Sequence, residues 1–77
     1  MNERLDVSGL LCPLPVLKAR KALQSVEVGD VLEVLATDPA AAIDIPHFCN
    51  EAGHELVSSE QDGETLTFRI RRGESRG

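Results

Sequence analysis

The sequence predicts a two-layer α/β (α+β) sandwich in the order βαβαββ, with two helices on one face of a four-stranded mixed sheet. Three observations carry the prediction. Two segments with apolar residues at helical spacing each follow a short strand-like run, and the chain closes with a hairpin around Asp62-Gly63 whose second strand alternates clearly. No segment repeats another. At 77 residues the chain reads as a single domain, 1–77, near the lower limit of one self-sufficient core. Its ordered core is expected over about 4–73, with 74–77 disordered beyond Gly73.

The elements follow from local chemistry. Arg4-Leu5-Asp6-Val7 alternates, which predicts a short strand with Leu5 and Val7 facing inward. Ser8-Gly9 punctuates the chain, and Leu10-Leu11-Cys12 leads through Pro13 and Pro15 into a helix whose inner stripe is Val16, Ala19, Ala22, Leu23 and Val26. Either proline could take the first helical position, since Pro15 disfavours helical geometry at Leu14. Gly29-Asp30 ends this unit. Residues 31–37 are β-branched and aliphatic, with Leu32, Val34 and Ala36 on one face.

Asp38-Pro39 is a strong helix start, with Asp38 as the N-cap. Ala41, Ile45, Phe48, Cys49 and Ala52 form the inner stripe of this second helix, Pro46 should kink or restart it, and Gly53 should stop it. The hairpin is expected as strands 55–61 and 64–71, with Asp62-Gly63 as a tight primed turn. In its second strand Leu66, Phe68 and Ile70 face the core. A right-handed crossover from the first strand to a parallel second one sets both helix N-termini along one sheet edge, which makes Cys12 and Asp38 neighbours.

The formal charge of −5 and pI near 4.8 argue against direct binding to a nucleic acid backbone. The basic residues cluster as Lys18, Arg20 and Lys21, read as a solvated helix face, and as Arg69, Arg71, Arg72 and Arg76, read as a loose tail. Met1-Asn2-Glu3-Arg4 lacks the apolar core of a secretion signal, and no apolar run is long enough to span a bilayer. A soluble cytoplasmic protein is expected, with both cysteines as reduced thiols.

Cys12 carries the chemistry. It stands just before a helix, where unpaired N–H groups and the peptide dipole favour an anion, so the thiolate nucleophile is expected to be stabilised there. Pro13 and Pro15 have no N–H, which leaves the amides of Leu14 and Val16 to point at the sulfur. Redox motifs place a second cysteine three positions on, where this chain has Pro15. Without a resolving thiol nearby, a sulfur species on Cys12 persists until another protein attacks it, which suits a carrier.

The run Leu5-Asp6-Val7-Ser8-Gly9-Leu10-Leu11-Cys12-Pro13-Leu14-Pro15 resembles the signature of the TusA/SirA family of sulfur carriers. Val28-Gly29-Asp30, Ala36-Thr37-Asp38-Pro39, Asp44-Ile45-Pro46 with Phe48-Cys49, and the hairpin to Arg72-Gly73 extend the likeness over nearly the whole chain. The resemblance implies a persulfide on the cysteine of the Cys-Pro-x-Pro motif, here Cys12. It implies no resident cofactor or metal, a protein donor such as a cysteine desulfurase or a rhodanese-like protein, and a protein acceptor. The acceptor would serve tRNA thiolation, cofactor synthesis or sulfur oxidation. The tRNA-thiolation members typically carry Glu at the variable motif position, where this chain has Leu14, so the pathway stays open.

Other groups have simpler roles. Cys49 lies on the packing stripe and reads as structural. His47, Cys49 and His54 match no familiar metal-ligand spacing. Asp6 and Glu33 read as solvated strand residues. Arg20 lies about two helical turns, roughly 12 Å, from Cys12, too far to touch the sulfur, and is a candidate for partner docking; Asp38 is another, beside its capping role. The reading is thus a carrier rather than a stand-alone enzyme, with a monomer expected. Its rivals are a thiol-disulfide redox protein using Cys12 with Cys49 and a non-covalent regulatory adaptor.

Overall fold

The computed structural model describes residues 3–74. In it, β1 (Glu3–Asp6), α1 (Leu14–Leu23), β2 (Val31–Ala36), α2 (Ala41–Ala52), β3 (Glu55–Asp62) and β4 (Thr65–Arg71) succeed one another in the predicted order. The strands form one sheet in the order β1-β2-β4-β3. β1 runs parallel to β2, with Leu5 opposite Val34, while β4 is antiparallel to both β2 and β3. The final strand therefore inserts between β2 and β3, so α2 must cross over β4 to connect its flanking strands.

The core is the seam between sheet and helices. Val7, Leu32, Val34, Ala36, Leu66, Phe68 and Ile70 meet Ala19, Leu23, Ala41, Ile45, Phe48 and Cys49, all buried. The period-2 and period-3.6 stripes of the sequence converge here, as burial of apolar area requires. Leu5 and Ala22 pack at its margin.

Three local expectations are corrected. Neither proline begins α1: Leu14 does, with Pro13 at the cap position and Pro15 one residue inside, because the Leu14 N–H donates to the Leu11 carbonyl (2.8 Å) and closes a turn before the helix. α2 is one continuous helix across Pro46, so it does not restart there. The hairpin turn is Gly63-Glu64, one residue later than expected, since Asp62 still pairs with Thr65. Gly63 takes φ +62° while no non-glycine residue among the described residues has positive φ, the pattern of a turn with glycine at its first central position. β3 also carries a register shift between Leu56 and Ser58, which leaves Val57 as an extra, exposed residue.

The C-terminal cations are engaged. Arg69 bonds Glu60 (2.8 Å) and Glu33 (3.0 Å), Arg71 bonds Glu55 (2.7 Å), and Arg4 reaches Glu33 (3.4 Å), so Glu33 is a partner in an ion network. The Arg72 guanidinium donates to the carbonyls of Gln24 and Val26 beyond α1, and its backbone pairs with Gly29 and Asp30. The reading of this group as a loose tail is wrong for these three arginines, because strand β4 and the residue that follows it come into pairing range; Arg76 lies outside the described residues. Gly73 follows, its N–H donating to His54 Nδ1 (3.0 Å); a Cβ at Gly73 would stand 1.9 Å from the Gly53 carbonyl oxygen. The disorder expected for 74–77 falls, beyond Glu74, outside the described residues.

Candidate functional site

The parallel β1-β2 pair sends the chain into both helices from the same sheet edge. Gly9 N–H donates to Thr37 Oγ1 (2.8 Å), and Cys12 N–H donates to Asp38 Oδ2 (2.7 Å), so the two strand-to-helix loops are laced together. The proximity of Cys12 and Asp38 expected from the crossover rule is present as a charge-assisted hydrogen bond.

Asp38 does not occupy the N-cap position; Ala40 does. Its Oδ1 accepts from the Ala40 N–H (3.2 Å), and successive bonds Ala41 to Asp38, Ala42 to Pro39 and Ile43 to Ala40 make a tight 3₁₀-type turn ahead of α2. The side chain therefore orders the start of the second helix with one oxygen and fixes the Cys12 backbone with the other.

Cys12 is exposed and free. Its electrostatics differ from expectation: the thiol pKa is raised, first by a hydrogen bond to the Asp44 carboxylate, then by partial desolvation and by the negative charges of Asp44 and Asp38. The helix dipole favours the thiolate, but two carboxylates at short range favour the proton. Of the two amides expected to face the sulfur, that of Leu14 is taken by Leu11. Asp44 sits in the first turn of α2 and was not singled out by sequence. A signal was available, since an acid in the first turn of α2 must lie near Cys12 once both helices start at one edge.

Cys12 and Pro13 open onto a groove of about 790 Å³ between the helices, with Arg20 from α1 and Asp44, His47, Phe48 and Glu51 from α2 on its walls. Arg20 is exposed, and its guanidinium carbon lies 5.8 Å from the Phe48 ring centre, a cation–π contact that holds it along the groove. Leu11, Leu14, Leu17 and Ile43 remain exposed on the two helices and the loop around Cys12. Leu14, the variable position of the motif, is thus at the surface.

Cys49 is 2% exposed, and burial pushes its thiol pKa up to about 11. His54 lies beyond α2, its ring 5.6 Å from that of Phe48, and burial with nearby Arg72 lowers its pKa. Among the described residues no group of three or more His, Cys, Asp or Glu side chains is placed to hold a metal ion. No helix among them is long and apolar enough to cross a membrane.

The sequence matches the family model described as sulfurtransferase TusA over residues 3–72. It is 57% identical over 63 residues to a protein of Neisseria meningitidis serogroup A named as a candidate sulfur carrier, covering 80% of this chain and 85% of that one. It is 42% identical over 71 residues to the sulfur carrier protein TusA of Allochromatium vinosum, covering 92% and 93% of the two chains. The fold superposes on the crystal structure of the SirA-like protein from Desulfitobacterium hafniense with a TM-score of 0.79 at 29% identity, over 96% of this chain and all of that one. With the family model spanning nearly every described residue and the fold shared with a SirA-like protein, the chain belongs to the TusA family.

Proposed function

We propose that this protein is a sulfur carrier that bears a transferable sulfur as a persulfide on Cys12. The observation that carries the reading is an exposed, free thiol, fixed through its own backbone N–H, at the mouth of a groove between two helix starts. Two relatives named as sulfur carriers, over four fifths or more of the chain, support it.

In loading, the Cys12 sulfur attacks the outer sulfur of a donor persulfide. The donor's S–S bond breaks, a new S–S bond forms on Cys12, and the donor leaves as a thiol, with no net oxidation. Unloading repeats the exchange with an acceptor thiol. The donor is a protein such as a cysteine desulfurase or a rhodanese-like protein, the acceptor is a second protein, and both exchanges take place in the cytoplasm. No resident cofactor is needed, because the cargo is the covalent group itself. Cys12 exposure and the open groove suit brief protein–protein contact, and Arg20, on the groove wall, and Asp38, bonded to the Cys12 amide, are docking positions for such partners.

The redox alternative requires Cys49 as a resolving thiol, and its burial against the sheet with a raised pKa disfavours attack. The test is intact-mass analysis after incubation with a cysteine desulfurase and cysteine. A thiol-reversible gain of one sulfur is expected in the wild type and in Cys49→Ala, and none in Cys12→Ala. A gain that survives Cys12→Ala would move the site.

A further inference from the structure

An exposed cysteine at a helix start is expected to be acidic, yet this one faces carboxylates. Asp38 binds its backbone amide at 2.7 Å, and Asp44, half-buried in the first turn of α2, lines the same groove as Cys12, where its carboxylate is the first cause of the raised thiol pKa. The other charged or titratable groups lining that groove are Arg20 from α1, His47 and Glu51 from α2, and His54 and Arg72. Arg20 is engaged by Phe48, Arg72 by the carbonyls of Gln24 and Val26, and His47 pairs with Glu51 at 3.8 Å. Both arginines thus have partners of their own, and the charges that act on the sulfur are the carboxylates of Asp44 and Asp38.

We propose that Asp44 is a second functional residue of the transfer site: it holds the thiol proton of the empty carrier and relays it to the departing donor thiolate during loading. The inference rests on the carrier reading above. The exchange balances. Cys12–SH and a donor R–S–SH give Cys12–S–SH and R–SH; the donor's S–S bond breaks, one forms on Cys12, and the Cys12 proton passes through the Asp44 carboxylate to the donor sulfur. Asp44 ends as it began. Such an arrangement keeps the unloaded thiol protonated, and so slow toward small electrophiles, while a docked donor supplies the proton's destination.

The test pairs two readouts on the wild type, Asp44→Asn, Asp44→Glu and Glu51→Gln, with melting curves as a check of folding. In the first, the rate of Cys12 alkylation by iodoacetamide is followed against pH. Asp44→Asn should move the midpoint to lower pH and raise the rate at pH 7 about three- to tenfold, while Asp44→Glu and Glu51→Gln stay near the wild type. In the second, loading by a cysteine desulfurase should slow several-fold in Asp44→Asn. An unchanged alkylation profile, or an equal shift in Glu51→Gln, overturns the assignment; loading that quickens together with alkylation overturns the relay. A wild type that no donor loads sinks the carrier reading and the relay with it, while the alkylation arm still decides whether Asp44 holds the proton.

Discussion

Cys12 lies in the loop before α1, open to solvent, tied by its amide to Asp38 and flanked by Asp44, whereas Cys49 lies on the inner face of α2 among Ala41, Ile45 and Phe48. Both thiols have raised pKa values, for different reasons. Neighbouring carboxylates hold the proton on Cys12, a condition that a docked partner can change; burial holds it on Cys49, and only unfolding changes that. On the proposed function, a raised pKa does not by itself mark a thiol as inert. What separates the two is whether the cause of the shift can be reached from solvent.

The sharpest way to break this comparison is to remove each sulfur in turn. Cys12→Ala should abolish sulfur loading altogether, while thermal unfolding stays within about 0.5 kcal/mol of the wild type, since an exposed loop side chain is removed. Cys49→Ser should do the reverse. A hydroxyl buried among apolar neighbours costs about 1–3 kcal/mol in urea unfolding, and loading should survive under native conditions. Equal loss of loading in both variants would end the distinction.

Next in size is the link between the loops. Asp38→Ala removes acceptors for the Cys12 and Ala40 amides and should cost about 0.5–2 kcal/mol in the same unfolding measurement, with slower loading because the Cys12 backbone is no longer fixed. The last effect appears only at high pH. The folded Cys49 pKa of about 11 stands above the ordinary 9.0, so the fold favours the neutral thiol. That contribution is complete below about pH 9 and is lost as pH rises toward about 11. Between those values the wild type should lose stability more steeply than Cys49→Ala, measured by denaturant midpoints at each pH.

Much of this is legible in the sequence, because it rests on periodicity. The stripes Leu32-Val34-Ala36, Leu66-Phe68-Ile70 and Ala41-Ile45-Phe48-Cys49 are buried as the patterns required, and the crossover rule placed Asp38 beside Cys12. What escaped depends on pairings across the chain. The insertion of β4 between β2 and β3, and with it the capture of Arg69, Arg71 and Arg72, is a choice among strand orders that alternation cannot make. The turn slipped by one residue because Asp62-Gly63 and Gly63-Glu64 both offer a glycine to a tight turn. The expected acidity of Cys12 fails because the dipole of its own helix is opposed by Asp38 and Asp44, acids that only the tertiary fold brings to it.

The most direct measurement locates the cargo. After loading, trapping with an alkylating agent and proteolysis, the peptide containing Cys12 should carry the additional sulfur at high occupancy and the peptide containing Cys49 should carry none. Sulfur found on Cys49, or a Cys12 peptide that stays unmodified beside a competent donor, would contradict the assignment.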